Sequence, residues 1–277
     1  MSRDTTRRRL LAGGAAAAVT ALAGCSGLTP FVGKRVEETR QLALDGSTAL
    51  SVETDVGDVT VRGDDREDVR ARIVKESSTA DADVSKLRLR VERSDGTLRL
   101  RSEWTGGDVQ FGSRPAMNLV LEVPRSLTVE SARVDTGSAT LRDLDADATV
   151  IANTGDVTVE RVDGTVSAEA ETGSVTVRRP GTISSVRAET GDVDVDVPAL
   201  SDDASVTTAT GSATVSVAPD IDAELIALVD TGDVDVDGLT LDDVNRSEAS
   251  VRGTLGDGGP ELRVESDTGD VTVDALR

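Results

Sequence analysis

Cys25 is the single cysteine of the chain, and Leu22-Ala23-Gly24-Cys25 has the form of a lipobox, in which a signal peptide is cut before the cysteine and the thiol takes up a lipid. Ahead of it, Thr6-Arg7-Arg8-Arg9-Leu10-Leu11 has the pattern of a twin-arginine export signal, with Arg7 and Arg8 as its pair. The weakly apolar run from Leu11 to Ala23 is shorter than the roughly 20 residues that span a bilayer, which favours a signal peptide over a membrane helix. A lone cysteine excludes an intrachain disulfide, so Cys25 is expected to be a lipid tether rather than a redox or zinc site. Export by the twin-arginine route would require the chain to fold first.

Two Asp triplets are the other residues whose spacing suggests chemistry: Asp192, Asp194 and Asp196, and Asp233, Asp235 and Asp237. Paired carboxylates could cleave a glycosidic bond by acid–base catalysis, and carboxylate oxygens could ligate Ca²⁺. Alternate positions of a strand spread side chains along one face, whereas calcium needs six to eight oxygens that converge. The intervening coil (Ser212, Thr214, Ser216) is neutral, and the chain holds no His and no Tyr. No catalytic residue, metal ligand or cofactor is therefore expected.

The elements that carry these residues are written as a repeat. Thr-Gly, then Asp or Ser, then Val or Ala alternating with polar residues recurs from Thr136, Thr154, Thr172, Thr190, Thr210 and Thr231, and again from Thr268. The glycines Gly137, Gly155, Gly173, Gly191, Gly211 and Gly232 are spaced by 18, 18, 18, 20 and 21 residues. Gly269 follows after 37, close to two periods, so one irregular coil is expected there. Alternation such as Val157 and Val159, followed by a second run at Val166, Ala168 and Ala170, is the period-2 pattern of half-buried strands. Units of this kind cannot bury their apolar face alone and must stack. The expected fold class is all-β, a β-solenoid, parallel β-helix-like, of 18–21-residue coils. Glycine after Thr suits a corner with φ > 0, while Asp163-Gly164 and Pro180-Gly181 suit the opposite corner. Val56-Gly57-Asp58-Val59-Thr60-Val61 reads as an early coil turning at Gly57.

In-register stacking makes a further expectation. After each Thr-Gly the residues read Ser138, Asp156, Ser174, Asp192, Ser212, Asp233, and four positions on they read Arg142, Glu160, Arg178, Asp196, Ser216, Asp237. If the units wind as parallel in-register coils, no two successive coils carry like charges at either position, as cross-strand electrostatics would select.

Residues 36–130 differ in texture. Thr39–Leu44, Val52–Val61 and Val69–Val74 read as strands, and Leu87–Val91 and Leu98–Arg101 read as a hairpin across Asp95-Gly96. This stretch holds Trp104 and Phe111, and is expected to form an N-terminal β cap with degenerate coils. Glu261–Glu265 and Val271–Val273 are expected to finish the stack. The resulting organisation is a signal peptide with lipobox (1–24), a short tether (25–35), cap and degenerate coils (36–130) and solenoid repeats (131–277).

Residues 1–24 hold four Arg and one Asp, which leaves 26 basic and 50 acidic residues in the mature chain. Such an excess is tolerated in molar salt, where the Debye length falls to about 3 Å, and it is the composition of a halophile's protein. Only Lys34, Lys75 and Lys86 are lysines. With no basic patch interleaved with aromatics, nucleic acid is not expected as a partner.

The Thr-Gly-Asp-Val-Thr-Val coils, Val123-Pro124 before the first full coil, and Gly256-Asp257-Gly258-Gly259-Pro260 before the last Thr-Gly-Asp-Val resemble the DUF4097 β-strand-repeat proteins, which are labelled adhesins. The resemblance covers roughly residues 36–276. It implies a β-solenoid at the cell envelope or outside the cell, and supplies no catalytic residues. The functional expectation is a non-enzymatic lipoprotein on the outer face of the membrane, held by a lipid on Cys25, that binds an envelope protein or glycan. The alternatives are a cation-binding structural or envelope-stress protein and, last, a polysaccharide-active β-helix enzyme.

Overall fold

The computed structural model describes residues 33–78, 83–107 and 114–277. The chain opens with β1 (Lys34–Leu42), β2 (Ala49–Val56), β3 (Val59–Asp64) and β4 (Val69–Ser77). A 3-10 turn at Val84–Lys86 leads to β5 (Leu87–Ser94), β6 (Thr97–Trp104) and β7 (Ala116–Pro124). The regular coils contain β8 (Thr128–Thr136), β9 (Ala139–Leu144), β10 (Ala148–Thr154), β11 (Val157–Thr172), β12 (Val175–Thr190) and β13 (Val193–Val197). They continue through β14 (Ala204–Thr210), β15 (Ala213–Val217), β16 (Ala223–Thr231) and β17 (Val234–Asp237). The end comprises β18 (Asp242–Ser247), β19 (Ser250–Leu255), β20 (Glu261–Thr268) and β21 (Val271–Ala275).

These strands form a β-solenoid flattened into two faces. Face 1 runs in the spatial order β5, β6, β2, β8, β10, β11, β12, β14, β20, β16, β19, β18. Face 2 runs β1, β4, β7, β3, β9, β11, β12, β13, β15, β21, β17. β11 and β12, 16 residues each, cross from one face to the other. Nine parallel strands on each face make nine coils, about 40 Å of stack at the usual strand spacing.

Alternation sends one set of side chains into a single core between the faces. Val157, Val175, Val193, Ala213 and Val271 lie in register and are buried. Where the faces converge beside the Gly turn, the inward row narrows to Ala152, Ala170 and Ala188. Farther along that row, Thr208 and Ser266 donate to the carbonyls of Gly191 (2.8 Å) and Gly211 (3.0 Å), which satisfies two buried hydroxyls.

The spatial order of coils differs from the sequence order at both ends. β2–β3 sits between β6–β7 and β8–β9, so the first coil of the chain is an interior one. The last coil, β20–β21, is likewise inserted between β14–β15 and β16–β17 rather than finishing the stack. The 37-residue interval before Gly269 holds no irregular coil: β19 turns back antiparallel to β16 and β18 pairs with β19. The physical reason is edge protection: antiparallel strands cover both faces at the β5 end and face 1 at the other, where face 2 ends on the short acidic strand β17, and every interior coil is paired on both sides.

Residues 36–130 supply two of the coils themselves, and only β1, β4 and β5 lie outside them as an antiparallel cover. The Asp95-Gly96 turn joins β5 to β6 with both residues at positive φ, 53° and 76°, as a two-residue hairpin requires. At the corner opposite the Gly turn the glycines act differently from expectation. The left-handed residues there are Asp143, Arg161 and Arg179, with φ of 60°, 53° and 51°. Gly181 is required by close approach instead, because a Cβ there would lie 1.9 Å from the Asp163 carbonyl oxygen.

Candidate functional site

The Thr-Gly turn is built by contact between coils. Gly155 and Gly173 have φ of +136° and +139°, and a Cβ on Gly173 would meet the Gly155 carbonyl oxygen at 2.2 Å. Gly57, Gly137, Gly155, Gly173, Gly191, Gly211, Gly269 and Gly232 form one column in that spatial order. Each coil then donates to the next: Gly155 N–H to the Thr172 carbonyl at 2.8 Å and Val157 N–H to the Ser174 carbonyl at 2.9 Å.

Alternating Asp and Ser beside this column is a hydrogen-bond ladder. Ser138 N–H donates to Asp58 Oδ1, Ser174 N–H to Asp156 Oδ1 and Ser212 N–H to Asp192 Oδ1, each at 2.9 Å. The expectation that no neighbouring coils both carry Asp fails at the inserted coil: Asp270 lies between Ser212 and Asp233, and Asp233 N–H donates to Asp270 Oδ1 at 3.1 Å. The second charge row departs likewise, with Asp274 opposite Asp237 and Arg62 opposite Arg142. Beside this second place Asp143 pairs with Arg62 (3.4 Å from its Nε) and Arg161 (2.6 Å from its Nε), whereas Arg142 Nε is buried with no hydrogen-bond partner among the described residues.

The Asp triplets divide by their partners. Arg178 pairs with Asp194 and, at 2.9 Å, with Asp196, whose other oxygen accepts from Arg179 N–H at 3.0 Å. Burial works against the Arg178 charge, but its bonds to Asp196 and Asp194 outweigh that and hold its pKa above the ordinary value. Asp194 Oδ1 is buried with no hydrogen-bond partner. Asp192 is spent on Ser212 N–H. Asp235 and Asp237 lie exposed on the short edge strand β17. Among the described residues no group of three His, Cys, Asp or Glu could hold a metal ion.

Outside the repeats, an open groove of about 660 Å³ crosses the outer surface of face 1 near its β5 edge, lined by Glu53, Arg90, Arg99, Arg101, Glu103 and Trp104 among others. Arg90 holds Glu103 through two bonds, 2.6 and 3.0 Å, and Arg101 lies 3.3 Å from Glu53. The bond from Arg90 holds the Glu103 carboxyl below its usual range. The Trp104 indole is half-buried, hydrogen-bonded to the Gly107 carbonyl at 3.2 Å and packed against Gly106. Sequence reasoning treated this stretch only as a cap; the signal was present in Arg88, Arg90, Arg99 and Arg101, alternate residues of one hairpin that must share a face.

The outer faces carry hydroxyl rows. On face 2, Thr60, Thr140, Thr158 and Thr176 stack in register, and Thr214 and Thr272 continue the row beyond Asp194. On face 1, Ser167, Ser185 and Ser205 stack likewise. Cys25, Arg7, Arg8 and Phe111 lie outside the described residues, and among the described ones no helix is long and apolar enough to cross a membrane.

The family model described as Toastrack DUF4097 matches residues 107–274. No curated protein matches the chain. Among solved structures, a candidate adhesin from Bacteroides fragilis NCTC 9343 is similar at 13% identity and a TM-score of 0.46, over 88% of this chain and 97% of that one. A candidate adhesin from Parabacteroides distasonis ATCC 8503 is similar at 11% identity and 0.44, over 86% and 97%. A candidate lipid-binding protein from the same organism is similar at 13% identity and 0.41, over 87% and 97%.

Proposed function

Since the chain belongs to the Toastrack DUF4097 family, we propose that it is a non-catalytic surface scaffold, tethered through a lipid on Cys25 to the outer face of the membrane, whose flat faces bind an envelope protein or glycan. The observation that carries this reading is the Thr row on face 2: equivalent hydroxyls repeat at the coil spacing on a surface that the glycine column keeps in strict register. Such a row suits a partner that itself repeats, because four successive coils, Thr60 to Thr176, offer the same donor and acceptor to successive units. Carboxylates that could otherwise serve acid–base chemistry, Asp194 and Asp196, are engaged by Arg178.

Cross-linking of the tagged protein on intact cells in native salt, with mass spectrometry against a Cys25→Ala control, tests this reading. One envelope protein or glycan should be recovered with the anchored form and lost in a Thr158→Arg, Thr176→Arg variant. Recovery of nothing specific, or of a partner indifferent to both changes, overturns it.

A further inference from the structure

Positive charge in this acidic chain is gathered at one end of the stack. Strands β1, β4, β5 and β6 carry eleven Lys and Arg against five Asp and Glu, whereas strands β7–β21 carry nine against twenty-one. The three lysines of the whole chain, Lys34, Lys75 and Lys86, all belong to this end. Its core is closed by a polar lid: Arg40 reaches across from face 2 to the Leu89 carbonyl of face 1 at 3.4 Å, and Glu38 pairs with Arg40 at 2.8 Å and Lys75 at 3.3 Å. The basic groups around that lid point outwards from both faces, those of β1 and β4 from face 2 and those of β5 and β6 from face 1, so they ring the end of the stack. Arg35, Arg70, Arg72, Arg90 and Arg101 are each more than half exposed despite their ion pairs. Lys34, Lys86, Arg88 and Arg99 make no ion pair among the described residues.

We propose that this basic end seats directly on an anionic lipid surface, so that the solenoid axis stands away from the membrane and the acidic coils face outwards. Two features select a lipid surface as the occupant. The first is charge: exposed guanidinium–carboxylate pairs contribute little and can be exchanged for phosphate, which arginine binds in a bidentate manner. The second is the course of the chain. β1 begins at Lys34, only nine residues after Cys25, and is itself the edge strand of this end, so a tether there delivers the basic end to the headgroups. The orientation rests on the Cys25 tether of the proposed function; the lipid contact does not. In molar salt the contact works only at touching range, since screening removes longer-range attraction.

Mature protein from residue 25 onward with Cys25→Ser, which lacks the basic signal peptide and cannot be lipidated, is floated with phosphatidylglycerol-containing or pure phosphatidylcholine vesicles at an ionic strength where circular dichroism shows the β-fold intact. Binding to the anionic vesicles alone is expected. Arg88→Gln with Arg99→Gln should weaken it about tenfold or more, since each basic residue at an anionic surface contributes severalfold, while Asp237→Asn at the acidic end should not. Equal binding to both vesicles, no binding, or an unaffected arginine variant overturns the proposal. So does vesicle-independent self-association abolished by the same arginine changes, which would assign the basic end to the acidic end of a second copy. Failure of the tether is read separately, as release of the wild-type protein from cell membranes.

Discussion

Replacing Gly173 with alanine separates the two reasons for a glycine at the Thr-Gly turn. The first is conformational, since φ of +139° is costly for any residue with a Cβ, of order 1–3 kcal/mol. The second is contact: the new Cβ would lie 2.2 Å from the Gly155 carbonyl oxygen and 2.5 Å from its carbon, and both belong to backbone that cannot swing away. Relief requires the two coils to part at the turn, which weakens the bonds from Gly155 N–H to Thr172 and from Val157 N–H to Ser174. At about 1 kcal/mol net for each, the total reaches about 4 kcal/mol, in the range reserved for severe backbone or core damage. Gly46 is the control, with φ of +88° and no atom within 4 Å of a built Cβ, so Gly46→Ala meets the conformational cost alone. Thermal and denaturant unfolding followed by circular dichroism should show Gly173→Ala lowering Tm by roughly 10 °C, and Gly46→Ala by only a few degrees. Equal losses for the two variants would refute close approach as the reason for the column.

Two further outcomes follow from the pairing. The Asp143 carboxyl is held below its ordinary 3.8 by its hydrogen bond from Arg161 and by the nearby charges of Arg161, Arg62 and Arg125. A depressed folded pKa contributes stability above the unfolded value and loses it as pH falls through the folded one. Asp143→Asn, which tolerates the left-handed backbone, should therefore be less stable than wild type at neutral pH, with the gap closing below about pH 3.8 in an acid-unfolding series. For the inserted coil, amide exchange at Val264 and Val273 should be as slow as at Val206 and Val215, and slower than in β17 and β18. Fast exchange in β20–β21 would refute its interior position.

The alternation of Val and polar residues, the Thr-Gly period and the Asp95-Gly96 turn were enough to read strands, two-sided coils and a solenoid, because each is a local pattern that dictates which way a side chain points. The glycine column was legible for the same reason, although the sequence suggested only a positive φ, and the stacked carbonyls supply the stronger demand. The Asp–Ser alternation was visible while its main cause was not, since a carboxylate accepting an N–H from the next coil is a contact across 18 residues.

Coil order was beyond the sequence altogether. Every Thr-Gly-Asp-Val-Thr-Val unit presents the same edges, so nothing local distinguishes stacking on β14–β15 from stacking on β16–β17, and Val271–Val273 fits either side equally well. That choice is made by the whole assembly, where the β18–β19 hairpin covers β16 on face 1 and the last coil takes the place between β14–β15 and β16–β17. The same holds for charge. Composition alone established an acidic chain, but because the first coil is threaded inside the second, β1, β4, β5 and β6 come together at one end and bring eleven Lys and Arg there with only five Asp and Glu on the same strands.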